Sequence, residues 1–276
     1  MLRRTSIVLA VTAALITTLA PAAQAAPAKT RPLPQAHAHN DYEHERPLLD
    51  ALDHGFTSVE ADIYLVDGEL LVAHDPEDLR PGRTLEALYL APLAERVRAN
   101  RGRVHRGSPI SLQLLIDIKN TGAETYTALD AALREYRTVL TRYAHGRVTA
   151  GAVTAVVSGD RPRALMESQT VRYAFYDGRM ADLTAGAPAS LIPLISDNWT
   201  TVFTWLGVGP MPADQRARLR EIVTTAHADG RRVRFWATPD TPGPARDAIW
   251  TELRRAGVDH INTDDLAGLE AFLRGC

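Results

Sequence analysis

The feature that most constrains this chain is an alternation. Short apolar runs recur along it, each followed by a longer stretch with helical periodicity. The runs cover 35–40, 57–66, 110–119, 153–158, 171–176, 191–196, 232–238 and 260–263. Regular strand–helix alternation implies a parallel sheet, because parallel neighbours need a crossover and a helix is the usual crossover. Eight such units in one chain of this length favour a closed barrel over an open doubly wound sheet. No glycine-rich phosphate loop follows the first run, which counts against a dinucleotide fold. The expected fold is a single-domain α/β protein, a TIM-type (β/α)8 barrel. The clearest helix follows Lys119, where Tyr126, Leu129, Leu133, Tyr136, Leu140 and Tyr143 recur at spacings of three and four to form one stripe. Helices are also expected over 216–229 and 245–256, with Gly230 and Gly257 as C-terminal caps.

The first residues read as a targeting segment. Arg3 and Arg4 give a basic start, 6–20 is apolar, and Ala23-Gln24-Ala25 fits a cleavage site. The apolar run is shorter than the ~20 residues a membrane span needs. The expected division is a signal peptide over 1–25, a loose tether over 26–34 and the barrel domain over 35–276, so the protein is expected to be secreted. The single cysteine, Cys276, excludes an intrachain disulfide and leaves a frayed end or an interchain pair. A formal net charge of −2 gives no basic surface for nucleic acid. Nothing in the chain marks an obligate protein partner.

The second strand carries polar residues on a face that should be inward. In Ser58-Val59-Glu60-Ala61-Asp62-Ile63-Tyr64, side chains alternate, with Val59, Ala61 and Ile63 on one face and Ser58, Glu60, Asp62 and Tyr64 on the other. Two same-face carboxylates are costly to bury unpaired, and a divalent cation resolves the cost. Surface carboxylates bonded to arginine are the plainer alternative. The third strand is apolar except for Asp117 and Lys119, which share a face next to the following helix. That is the C-terminal end of a barrel strand, where barrel active sites are built. Glu60, Asp62 and Asp117 thus form an oxygen-only ligand set suited to Mg²⁺, with Ca²⁺ and Mn²⁺ as alternatives. Lys119 adds a positive charge beside it, making an anion site for which phosphate is the natural occupant. Lys29 and Lys119 are the only lysines in an arginine-rich chain.

Among the histidines, His37 and His39 share a face of the first strand, with His39 nearer the active end. His54 reads as a cap at a helix C-terminus. His74 follows an Asp67-Gly68 hairpin signal that turns the chain back along the second strand. A strict two-residue turn would place His74 opposite Ala61. A three-residue or bulged turn would place it opposite Asp62, facing inward, and this second register is the expected one. His39 and His74 flanking a bound phosphate would form a general acid and base, since imidazole titrates near neutral pH.

These residues resemble a known superfamily. His39-Asn40-Asp41, Ser58-Val59-Glu60-Ala61-Asp62, Leu71-Val72-Ala73-His74-Asp75, Asp117-Ile118-Lys119 and the ending Asp259-His260-Ile261-Asn262-Thr263-Asp264-Asp265-Leu266 are similar to glycerophosphodiester phosphodiesterases and phospholipase C-like enzymes. The nearest likeness is to a branch starting His-x-His-Asn-Asp. The resemblance implies a TIM barrel, a Mg²⁺ or Ca²⁺ site on Glu60, Asp62 and Asp117, an acid/base pair in His39 and His74, and a phosphate-contacting Lys119. It also places Asn40 near metal or phosphate, and Trp236 near the substrate or in the core. The superfamily's usual His-Arg-Gly and Pro-Glu-Asn-Thr stretches are absent. Asp117 stands where glutamate is common, and Asp-x-Lys is closer to the sphingomyelinase D type.

The expected activity is hydrolysis or cyclisation of a small-molecule or lipid phosphodiester. The alternatives are a metal-dependent hydrolase of another ester, and a secreted binding protein with a vestigial site. The loop holding Trp199, Val202, Phe203, Trp205 and Leu206 would either present an apolar rim for transient contact with a membrane surface or pack inward.

Overall fold

The computed structural model describes residues 31–275; the leader, most of the tether and Cys276 lie outside them. Eight parallel strands close into a barrel: β1 (Leu33–Ala38), β2 (Phe56–Val66), β4 (Leu112–Ile118), β7 (Val153–Gly159), β9 (Ala174–Gly178), β10 (Leu194–Asn198), β11 (Arg232–Trp236) and β12 (His260–Thr263). Closure comes from β1, which pairs in parallel with β12 on one side and β2 on the other. Helices α1 (Leu49–Asp53), α2 (Ala91–Ala99), α3 (Gly122–Glu135), α4 (Arg163–Ser168), α5 (Trp199–Val202), α6 (Ala213–Ala228) and α7 (Pro244–Ala256) lie between strands in the chain, and α8 (Leu266–Arg274) follows the last of them. The expected single-domain TIM barrel is the fold.

The outward strand faces bury Val59, Ala61, Ile63, Leu114 and Ile116 in the main core with helix residues such as Tyr126, Leu129 and Trp250. The barrel interior is divided. Leu115, Val156, Phe175 and Leu194, from β4, β7, β9 and β10, form a small separate apolar cluster. The interior of β1, β2, β11 and β12 is filled instead by His37, Ser58, Glu60, Arg234, His260 and Asn262, all buried. Aliphatic layers usually fill such a barrel. Polar side chains persist here because they bond one another: His37 Nδ1 lies 2.7 Å from Ser58 Oγ, and Gln113 donates to the same oxygen at 2.9 Å.

Several local expectations are corrected. The first strand starts at Leu33, so it takes over the end of the expected tether. The run 171–176 is divided: β8 (Val171–Arg172) joins a small antiparallel sheet with β5 (Arg142–Ala144) and β6 (Arg147–Thr149), and only β9 enters the barrel. The helix after Lys119 ends at Glu135. Leu140 bridges Val153 and Tyr143 lies in β5, because pairing of this segment with β7 and the small sheet outweighs its helical spacing.

The hairpin turn is also tighter than expected. β2 pairs with β3 (Glu69–Val72) with Val66 opposite Glu69, leaving Asp67 and Gly68 as a two-residue turn. Both have positive φ, 50° and 86°, the geometry that matches strand twist in a hairpin. The regular register would therefore put His74 opposite Ala61. But β3 ends at Val72, and the chain leaves the ladder before His74. Release from the ladder, and not a bulge, lets the His74 ring reach Asp62.

Candidate active site

The C-terminal ends of the strands surround a cavity of about 210 Å³. His39, Asn40, Glu60, Asp62, His74, Asp117, Lys119 and Trp236 all line it, together with Ser158, Arg179 and Arg234. Every sequence-derived site residue thus meets in one place. A larger cavity, about 450 Å³, lies at the opposite end of the barrel and contains none of these groups.

The carboxylates are placed by strand register. Asp62 and Asp117 are direct partners across β2 and β4, and Glu60 precedes Asp62 on the same face. Lys119 Nζ bridges two of them, 2.8 Å from Asp62 Oδ2 and 3.2 Å from Asp117 Oδ1. Burial works against the Lys119 charge, but these two carboxylates outweigh it and raise its pKa. Glu60 Oε2 accepts from Arg234 Nη2 at 2.6 Å and lies 3.2 Å from His37 Nε2. Burial and the Arg234 charge push the His37 pKa down to about 3, so His37 is a neutral partner.

Asp62 is the most contacted group. Its Oδ2 accepts from the Tyr42 hydroxyl at 2.6 Å and lies 3.1 Å from His74 Nδ1. The Tyr42 hydroxyl is also 2.9 Å from Asn40 Oδ1. Burial and the neighbouring Glu60 charge push the Asp62 pKa up to about 6, and its Oδ1 is buried without a partner among the described residues.

Each candidate acid/base histidine is oriented through Nδ1. His39 Nδ1 donates to Asp264 Oδ1 at 2.8 Å, leaving Nε2 for a ligand. Burial opposes charging of His39, but the Asp264 hydrogen bond and the Glu60 field hold its pKa above the usual histidine value. Asp264 is fixed in turn by Asp240, which accepts from the Asp264 backbone N–H at 2.7 Å and the Thr263 hydroxyl at 2.8 Å. A histidine aimed by a carboxylate is a recurrent arrangement for proton transfer.

Arg179, Arg234 and Ser158 were not anticipated. Arg232, Arg234 and Trp236 alternate along β11, so the period-two signal that exposed Glu60 and Asp62 was present there too. Arg179 follows β9 directly, where its Nη1 pairs with Asp177 at 2.5 Å and its Nη2 donates to Ser158 Oγ at 3.2 Å. The apolar loop after β10 packs inward: Trp199, Phe203 and Trp205 are buried, and Leu206 and Val208 are exposed.

The loop carrying His39, Asn40 and Tyr42 is held by Asp41. The buried Asp41 Oδ2 accepts from Leu48 N–H at 2.5 Å and from the Tyr89 hydroxyl at 2.9 Å, fixing Leu48 at a strained φ of 64°. Asp41→Ala should cost about 1–3 kcal/mol at pH 5, measured by urea unfolding, because two buried donors lose their acceptor. Burial pushes the Asp41 pKa up to about 7. The folded state therefore holds this proton more tightly than the unfolded state. The contribution is full below the unfolded value near 4 and is lost as pH rises toward 7. Asp41→Asn should remove that fall in stability.

Glu60, Asp62 and Asp117 are the residues that could hold a divalent ion. As placed, Lys119 and Arg234 face the carboxylates, and among the described residues no three His, Cys, Asp or Glu side chains are gathered into a ready metal site. Even so, no lysine or arginine cation is within 4 Å of these three carboxylates other than Lys119 and Arg234 among the described residues, Arg179 being paired with Asp177, and the buried Asp62 Oδ1 has no donor among them. Hard oxygens with surplus negative charge suit Mg²⁺ or Ca²⁺.

Comparison with known proteins adds the family context. The AIM6-like phosphodiesterase domain model matches residues 28–177, and a model of the glycerophosphoryl diester phosphodiesterase family matches residues 232–267. Altered inheritance of mitochondria protein 6 homolog of Arthroderma benhamiae is 29% identical, over 87% of this chain and 84% of its own. Altered inheritance of mitochondria protein 6 of Eremothecium gossypii is 30% identical, over 90% of this chain and 73% of its own. A crystal structure of a glycerophosphoryl diester phosphodiesterase from Parabacteroides distasonis superposes with a TM-score of 0.53 at 16% identity, covering 90% of this chain and 88% of its own, a likeness of fold.

Proposed function

This chain belongs to the AIM6-like phosphodiesterase family, within the glycerophosphodiester phosphodiesterase and phospholipase C-like superfamily, and from that premise we propose that it is a secreted, metal-dependent phosphodiesterase. The observation that carries the reading is the convergence, on one cavity, of two carboxylate-oriented histidines, three carboxylates and Lys119.

In this reading Glu60, Asp62 and Asp117 would hold Mg²⁺, with Ca²⁺ or Mn²⁺ as substitutes, and Lys119 and Arg179 would face the phosphodiester anion. When bound, the ion supplies Lewis-acid stabilisation of charge on the phosphoryl oxygens. One histidine takes the proton from the attacking hydroxyl as the new P–O bond forms. The other delivers a proton to the leaving alkoxide as the old P–O bond breaks. The attacking hydroxyl belongs to water or to the substrate's own neighbouring alcohol. Asp264 keeps the Nδ1–H tautomer of His39, so Nε2 is the atom that exchanges the proton. Asp62 and Tyr42 orient His74. Asn40 and Trp236 border the substrate. The substrate is a glycerophosphodiester or a phospholipid-type phosphodiester, with transient contact to a membrane surface in the lipid case.

Export rests on the leader, with cleavage near Ala25. The test uses protein recovered from the culture medium of an expressing host, which should begin near Ala26. It is assayed on a chromogenic phosphodiester with Mg²⁺, and again after EDTA. Turnover should fall at least tenfold with chelator and return on adding Mg²⁺ back. Full turnover after exhaustive chelation would remove the metal from the reading. Binding of a phosphodiester with no turnover under any divalent ion would favour a binding protein.

A further inference from the structure

The other end of the barrel holds a further cavity, about 250 Å³, in which Gln35, Ser111, Arg232, Asp259 and His260 are set among apolar residues. Arg232 opens β11 and His260 opens β12, so both sit at the strand ends opposite the reaction site.

Arg232 is a largely buried cation with no carboxylate within 4 Å among the described residues. Its one hydrogen-bond partner there is His260 Nε2, 3.2 Å from Nη1. Asp259 is adjacent, but its Oδ2 is engaged by His227 Nε2 and by the Val233 backbone N–H, each at 2.8 Å. His260 is 3% exposed, and burial beside Arg232 keeps its pKa well below the usual value, so the ring is neutral. Since Nε2 accepts from Arg232, the ring proton sits on Nδ1, which is buried and has no partner among the described residues.

The cavity therefore presents a guanidinium with most of its donors unused, backed by a neutral histidine that accepts only one of them. Donors left unpaired in a cavity of low polarity are unfavourable. An oxyanion would satisfy them, because the guanidinium fork matches the paired oxygens of a phosphate or carboxylate. We propose that this cavity is a binding site for a small oxyanion, separate from the reaction pocket. The ring centroids of His260 and His37 are 6.1 Å apart, and His37 contacts Glu60. The site thus abuts the polar column that leads up to the reaction pocket, and it adds no group to the chemistry there.

Inorganic phosphate and acetate are the probes, titrated by calorimetry and by thermal unfolding against wild type, Lys119→Met, Arg232→Met and Arg232→Lys. Phosphate bound in the reaction pocket is weakened by Lys119→Met. Binding at the second site should survive that change. It should weaken at least tenfold in Arg232→Met, and also in Arg232→Lys, which keeps the charge and the fold but loses the fork. Chromogenic turnover should be unchanged in both Arg232 variants. A response of Lys119→Met to phosphate alone identifies a phosphate site, to acetate alone a carboxylate site, and to both a general oxyanion site. Anion binding equal in Arg232 variants and wild type, or none in Lys119→Met, overturns the proposal.

Discussion

Replacing His39 by alanine is expected to lower turnover of a chromogenic phosphodiester by about 10²–10⁴, the range over which a positioned acid or base contributes. The side chain is 28% exposed and its one bonded partner, Asp264, is at the surface, so removal leaves no buried group unsatisfied. The variant should therefore keep wild-type stability to within about 0.5 kcal/mol. That separation is the point of the measurement. A fall in kcat with unchanged unfolding places His39 in the chemistry. A rise in KM alone would assign it to substrate binding, and unchanged kinetics would end the acid/base assignment. The raised pKa of His39 sharpens the test. The rate of the wild type should titrate with a group above the usual histidine value, and that limb of the pH profile should vanish from the residual activity of the variant.

The largest expected stability effect is at Arg234. Its guanidinium bonds Glu60 at 2.6 Å and Asn262 Oδ1 at 2.9 Å from Nε, with all three residues buried. Arg234→Met should cost about 3–5 kcal/mol, because it strands a buried carboxylate whose other contact is a neutral histidine. The melting temperature should fall on the order of 10 °C. The sign of the pH dependence follows from Glu60. Burial works to raise its pKa, but the Arg234 charge and the His37 hydrogen bond prevail and hold it below the usual range. A depressed carboxylate pKa gives stability that is complete above the unfolded value and is lost as pH falls toward the folded one. The gap between wild type and variant should thus be widest near neutrality and narrow below about pH 4. Adding Glu60→Gln to Arg234→Met should recover part of the loss. A gap under 1 kcal/mol, or one indifferent to pH, would mean that Glu60 is not held by this pair.

The barrel was legible because its strands are short, apolar and regularly spaced. The inward polar face of β2 was legible because alternation reports orientation directly. What escaped depended on contacts distant in sequence. Arg179 sits just past the end of β9, where alternation no longer reports orientation, and only the fold brings it to Ser158. Arg234 was inside an expected strand, yet its meaning depends on Glu60, 174 positions away. The orienting role of Asp264 had the same difficulty. His74 reaches its place by a route that pairing rules do not describe, since it acts after the ladder has ended. At Leu140 and Tyr143 a helical spacing continued past the helix, and strand pairing decided the outcome.

Closure of the barrel by β1 against β12 also bears on biosynthesis. His39 donates its backbone N–H to Thr263 and its ring N–H to Asp264, which follows it by 225 residues. At ribosomal rates of roughly 5–20 residues per second, that partner arrives about 10–45 s after the histidine. A nascent chain already bearing the three carboxylates and both imidazoles still lacks the group that aims one of them. The proposed site is thus complete only once the last strand has been made, and a chain released before it would lack the carboxylate that aims His39.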